Sequence, residues 1–373
     1  MTAERLRPFG ESIFSSMTRL ANECGAINLS QGFPDFDGPD WLKEAACQAI
    51  RQGPNQYAPS PGLLELRTAL AAKVKRDYDL EYRPEDEITV LCGATEALSA
   101  TILGLLDPDD EVVLLEPFYD SYPALVAMAC ARPRFLTLRP PGFELDLEAL
   151  DRLLGPRTRL LVLNSPNNPT GKVFSSEELE ALAERARRHD FVVLSDEVYE
   201  HLVYPPHRHI PIATLPGMRE RTVTVSSFSK TLSMTGWKVG YAMAPPWLTA
   251  AVRSSHQFLT FCSIAPLQLA LARTLDQLPG YLQRATDEYL ARRDLLADGL
   301  AAPRPAGTYF IVKEIEGQAE LYCQRLAREA GVAAIPCSAF YRSEAGDHLI
   351  RFAFCKRLEV LDEAVRRTRA WRP

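Results

Sequence analysis

Short, continuously apolar runs alternate along the chain with longer stretches whose apolar positions recur every three or four residues. EITVLC, EVVLLE, RLLVLN and FVVLSD are the short runs, and they read as strands. ATEALSATILGLL, the segment around Tyr122 to Met128, and SSEELEALAERARRH fall between them and read as helices. Strands that do not alternate apolar with polar are buried on both faces, as parallel strands are when crossover helices cover a sheet on both sides. The pattern therefore predicts an α/β fold built on a mainly parallel sheet.

TVTVSS (222–227) and KVGYAMA (238–244) predict two more strands, but the ten residues between them are too few for an ordinary helical crossover. One of the two is expected to run antiparallel. From Pro279 onward, YLQRATDEYLARRDLLADGL predicts a long charged helix, and GTYFIVK, a further helix, GVAAIP and HLIRFAF follow it as an α+β unit. A chain of 373 residues exceeds what one core usually serves, so two lobes are expected.

Composition narrows the function classes. Hydrophobic residues make up 46% and charged residues 24%, which fits a folded globular protein, and the net charge of -6 leaves no broad basic surface for a nucleic-acid partner. No apolar run approaches the roughly 18 residues that cross a bilayer, and MTAERLRPFG lacks the apolar core of a signal peptide, so no membrane partner and a cytoplasmic location are expected. The eight cysteines form no C-x-x-C pair, and the HRH run at His207 to His209 has no third ligand nearby. No metal is expected.

In an open α/β sheet, ligands bind outside the carboxyl ends of the strands. Gly93, Ala94 and Thr95 open a helix after the first strand, where free N–H groups and the helix dipole seat an anion. Phe118 and Tyr119 follow the second, where an aromatic ring can stack on a planar ligand. NSPNNPTG brings Asn164 and Asn168, SDEVYE brings Asp196 and Tyr199, and SSFSKTLSMTGWKVG brings Ser227, Lys230 and Lys238. Each has an ordinary alternative as a cap, a turn, a core residue or a solvated charge. A single planar ligand with a phosphate, a basic ring nitrogen and an aldehyde accounts for all of them, and that ligand is pyridoxal 5'-phosphate.

SSFSKTLSMTGWKVG, NSPNNPTG, SDEVYEHLVY, GATEAL and HLIRFAF resemble the class I aminotransferases of fold type I over nearly the whole chain. INLSQGFPDFDGP, NQYAP and GATEALSA are most similar to the methionine aminotransferase branch, beside the kynurenine and glutamine transaminases. The resemblance implies a large domain over 42–278 with a seven-stranded sheet, a small domain from 15–41 and 279–373, and an N-terminal arm over 1–14. It implies that Lys230 holds the cofactor as an imine and serves as the base, and that Asp196 keeps the ring nitrogen protonated. Asn168 and Tyr199 would bind the ring's phenolic oxygen, Phe118 would cover one face, and Ser227, Lys238 and the Gly93 to Thr95 turn would hold the phosphate. Tyr57 would reach that phosphate from the other subunit of a homodimer. Arg351 would clamp the substrate α-carboxylate with Asn164 beside it. Phe14, Gly32, Phe118 and the partner-supplied Phe261 would line a side-chain pocket suited to methionine, phenylalanine, tyrosine, kynurenine or glutamine as donors to a 2-oxo acid. A C-S β-lyase on the same fold and a cofactor-sensing regulatory module are the alternatives; the acidic chain has no room for a helix-turn-helix.

Overall fold

The computed structural model describes residues 2–372. In chain order the strands are β1 (Ile27–Asn28), β2 (Ile88–Leu91), β3 (Glu111–Glu116), β4 (Arg132–Thr137), β5 (Thr158–Asn164), β6 (Val192–Asp196), β7 (Thr222–Ser227), β8 (Gly240–Met243), β9 (Phe310–Glu314), β10 (Val332–Ala333), β11 (Ile335–Pro336) and β12 (Leu349–Ala353). Seven of them form one sheet in the order β2-β8-β7-β6-β5-β3-β4. β3 to β7 are parallel, and β8 runs antiparallel to both its neighbours, β7 and β2. The short link before β8 thus has the outcome that its length requires.

Burial explains why these runs are strands. Every residue of β2, β3 and β8 is buried, and helices cover the sheet on both faces. The helix Ser176–His189 shows how a crossover is specified: Leu179, Leu182, Ala183 and Ala186 form one buried stripe. Its start is fixed by a capping box between Ser175 and Glu178. β4, at the sheet edge, reads RPRFLT and is largely part-exposed, so it carries none of the continuous apolar signal of its neighbours.

Two smaller sheets complete the architecture: β11-β12-β9, antiparallel, and the parallel pair β1-β10. The helix Leu278–Leu300 and the helix Leu358–Ala370 pack together against them in a shared core with Phe310, Ile350 and Phe352.

Register delivers the strand ends to one place. Asn164 on β5 lies opposite Asp196 on β6, and Ser227 on β7 lies opposite Gly240 on β8. Gly240 also pairs with Leu91, so the turn after β2 crosses directly over β8. A Cβ on Gly240 would stand 2.6 Å from the Gly93 carbonyl carbon and 2.7 Å from the Ala94 nitrogen, both backbone atoms that cannot yield. Gly240→Ala is expected to lower the thermal unfolding midpoint, with a loss of about 1–3 kcal/mol from overpacking. Gly280→Ala, where nothing lies within 4 Å of the new methyl, is the control and should leave the midpoint unchanged or higher.

Candidate active site

A cavity of about 300 Å³ lies at the carboxyl ends of β2, β3, β5, β6 and β7. Gly93, Ala94, Thr95, Asn164, Asn168, Asp196, Tyr199, Ser227, Lys230, Lys238 and Arg351 all line it, as do Phe14 and Gly32. A larger open groove of about 910 Å³ between 140–145 and 303–306 holds none of these groups. Chemistry rather than size marks the site.

At one end of the cavity, Gly93 caps the helix Ala94–Leu105 with φ 82°, and the first-turn N–H groups have no partner within the helix. Lys238, itself at φ 54°, brings its ammonium against this turn: a Cβ on Gly93 would be 3.3 Å from Nζ. Ser227 caps the short helix Phe228–Thr231, its Oγ accepting the Ser229 N–H at 3.1 Å. Free amides, an ammonium and a hydroxyl, the last donating to the Val239 carbonyl at 3.3 Å, therefore lie on one cavity wall as groups suited to an anion.

At the other end stands Arg351, with no exposed surface. Its Nη1 donates to Asn168 Oδ1 at 2.7 Å and its Nη2 to the Ser30 carbonyl at 2.8 Å, while Nε has no partner. Phe310 lies under the guanidinium at 4.0 Å, with Phe14 at 5.2 Å and Phe340 at 5.3 Å. The aromatic faces hold the cation in place, yet they leave its charge uncompensated. Asn164 braces the floor: its Nδ2 donates to the Asp196 carbonyl at 2.9 Å and its Oδ1 accepts the Asn168 N–H at 2.8 Å.

Between the two ends lie a carboxylate and an amine. Asp196 accepts from the Tyr122 hydroxyl at 2.6 Å and from the Val198 N–H at 3.3 Å. Burial pushes its pKa up to about 6, against the opposing pull of the Tyr122 hydrogen bond. Burial, with Lys238 and Arg351 nearby, pushes Lys230 down to about 8; its Nζ stands 3.5 Å from the Gly32 carbonyl. Tyr199 packs edge-on to Tyr309 at 5.3 Å, and burial holds its phenol well above the usual range.

This set suits a ligand that is anionic at both ends and basic in the middle. Pyridoxal phosphate and a substrate carboxylate would supply anions for the open amides at Gly93 and for Arg351, whose Nε has no partner, and a basic ring nitrogen for Asp196, whose own partners are neutral.

A family model described as "Aminotransferase class I and II" matches residues 25–367. The chain belongs to that family. This aminotransferase is 42% identical to the methionine aminotransferase of Escherichia coli K12 over 98% of the chain and 97% of the relative. It is 47% identical to a probable N-succinyldiaminopimelate aminotransferase of Mycobacterium tuberculosis H37Rv over 98% of each chain. The solved structure of N-succinyldiaminopimelate aminotransferase from Mycobacterium tuberculosis superposes with a TM-score of 0.96 at 46% identity, covering 99% of this chain and 100% of that one. The aminotransferase is pyridoxal-phosphate dependent, as the family is.

One expected position is corrected. Phe118 does not line the cavity: it is buried in the helix-covered face of the sheet, packed on Phe135 at 5.7 Å. Tyr119 takes the cavity wall instead, edge-on to Tyr122. Successive residues leaving a strand point to opposite sides, so only one of an adjacent aromatic pair can face the ligand. Tyr57 and Phe261 also lie outside the cavity of their own chain, ring to ring at 5.4 Å on the surface. Tyr122, Ser229, Thr235 and Phe310 are lining residues absent from the sequence expectations. Tyr122 is signalled only by its helical spacing from Tyr119.

The raised Asp196 pKa gives a test of the cavity itself. With the folded value near 6 and the ordinary value 3.8, the ionised carboxylate costs the cofactor-free protein stability above pH 6, and the cost vanishes below pH 4. Cofactor-free Asp196→Asn is expected to unfold at a higher temperature than wild type at pH 7.5 and at the same temperature at pH 4. A variant that is no more stable at pH 7.5 would contradict the uncompensated charge.

Proposed function

We propose that the aminotransferase moves the amino group of a hydrophobic or aromatic L-amino acid, of the methionine, phenylalanine, tyrosine, kynurenine or glutamine type, to a 2-oxo acid by a ping-pong mechanism. The aromatic and apolar lining of the cavity carries this reading: Phe14, Gly32, Phe33, Tyr119 and Phe310 line it, and its cations are Lys230, Lys238 and Arg351. Under this assignment all three are engaged with the cofactor or the α-carboxylate. None remains in the chain's own wall for a distal carboxylate.

Bound in the site, pyridoxal phosphate supplies an electron-withdrawing ring that stabilises negative charge at the substrate α-carbon. Asp196, ionised above about pH 6, holds a proton on the ring nitrogen. Asn168 and Tyr199 would bond the ring's phenolic oxygen. The Gly93 turn, Ser227 and Lys238 hold the phosphate. Arg351 takes the α-carboxylate in its fork, and Asn168 braces the fork at 2.7 Å. Lys230, with its pKa lowered to about 8, carries a far larger neutral fraction at neutral pH than an ordinary lysine, and its Nζ takes the α-proton and returns it. Gly32 lets its backbone approach the aromatic wall: a Cβ there would meet Phe310 Cζ at 2.7 Å.

The same reading makes the protein a homodimer. Tyr57 and Phe258 are 85% and 84% exposed, and Phe261 and Ile264 extend the patch, a concentration of apolar surface that suits burial against a second copy. Tyr57 then serves the partner's phosphate seat and Phe261 its donor pocket.

A donor panel with several 2-oxo acids tests the substrate class. Methionine, phenylalanine, tyrosine, kynurenine and glutamine are expected to give parallel double-reciprocal lines and kcat/KM at least ~100-fold above aspartate, the scale of about 3 kcal/mol for leaving a charged group without a partner. Preferred turnover of aspartate or of N-succinyldiaminopimelate would overturn it. Acceptor-independent release of pyruvate and ammonia from a cysteine conjugate would identify a β-lyase instead.

A further inference from the structure

Next to the phosphate seat a buried carboxylate outside the catalytic set holds two turns at once. Glu96, in the first turn of the helix Ala94–Leu105, is 8% exposed. Its Oε2 accepts the N–H of Cys92, the residue before Gly93. Its Oε1 accepts from Thr260 Oγ1 and faces His256 Nδ1 at 2.6 Å. His256 is fully buried, and its Nε2 faces the Ser60 carbonyl at 2.9 Å. A carbonyl only accepts, so Nε2 carries a proton and the ring has a fixed orientation.

The second turn presents Phe261. The N–H groups of Thr260 and Phe261 both bond the His256 carbonyl at 3.1 Å, and Phe261 sits at φ 70°. A bulky residue in that region is strained by about 1–3 kcal/mol and stays there only when its surroundings hold it. The bonds from Thr260 and His256 to Glu96 supply that hold, and Cys92 Sγ lies 3.9 Å from the Cys262 carbonyl. The turn under the phosphate and the turn under Phe261 therefore share one carboxylate.

We propose that Glu96 is a positioning residue that couples the phosphate seat of one protomer to the donor pocket of its partner, through the Thr260–Phe261 turn. The proposal rests on the homodimer reading, in which Phe261 enters the partner's cavity. Ordering of the Cys92–Gly93 turn by phosphate then also fixes the ring that the neighbouring active site uses to grip its donor.

Hybrid dimers separate the two effects. One protomer carries Lys230→Ala, so all turnover comes from its wild-type partner; Glu96→Gln is then added to the silent protomer only. The active site keeps an intact phosphate seat, while its neighbour supplies an altered Phe261. KM for phenylalanine is expected to rise about 5-fold, and kcat/KM for alanine to stay within ~2-fold, the size of a typical coupling of about 1 kcal/mol. Equilibrium dialysis of the Glu96→Gln homodimer should show pyridoxal phosphate bound about 5-fold more weakly, for the same coupling energy. Thr260→Val on the silent protomer is the milder variant, should Glu96→Gln fail to fold. It is expected to raise the phenylalanine KM about 2-fold, as for loss of one hydrogen bond, with the cofactor dissociation constant unchanged. An unchanged phenylalanine KM in a folded hybrid would overturn the proposal even if dialysis shows weaker cofactor binding. A fully active monomer in sedimentation would remove the homodimer reading itself, and the coupling with it.

Discussion

Uncompensated charge inside the protein is the constraint around which the structure is arranged. Asp196, Lys230 and Arg351 share one cavity, and the bonds each makes are to neutral groups: a phenol and an amide N–H, a carbonyl, and an amide oxygen with a carbonyl. Withdrawing such groups from water without a counter-charge is costly, and folding must supply the difference from elsewhere. A ligand with complementary charges recovers that cost on binding. The parallel sheet supplies rigid strand ends, and register alone sets Asn164 beside Asp196 and Ser227 beside Gly240.

A second buried network, remote from the ligand, keeps the Asp196 loop in place. Glu200 accepts from Lys73 at 3.0 Å, Tyr78 at 2.7 Å, Ser226 at 2.8 Å and Tyr241 at 2.9 Å. These partners come from a helix and from two strands of the large sheet, so the segment from Asp196 to Glu200 is tied at its far end as well as at β6. Glu96, under the phosphate turn, is likewise a buried carboxylate whose work is positional. Both are saturated with donors, whereas Asp196 retains room for a ligand.

Much of this was legible in the sequence because the relevant signals are local. Four continuous apolar runs and the segments TVTVSS and KVGYAMA identified six strands of the large sheet, and the ten-residue link required the antiparallel β8. β4 escaped because an edge strand needs little apolar surface, and β1 because two residues carry no periodicity. Among lining residues, those fixed by strand ends were readable, since the end of a buried strand points at the ligand crevice. The choice between Phe118 and Tyr119 was not, because it depends on which way one residue turns on leaving β3. The Glu96–His256–Thr260 cluster joins positions 160 or more apart in sequence, and no spacing rule reaches that far.

Every role assigned to the site depends on Lys230 being the amine that meets the cofactor. Borohydride reduction of the protein with pyridoxal phosphate, followed by proteolysis and peptide mass mapping, tests this directly. One modified lysine is expected, in the peptide containing Lys230. An adduct confined to Lys238 or Lys356, or no adduct under saturating cofactor, would contradict it.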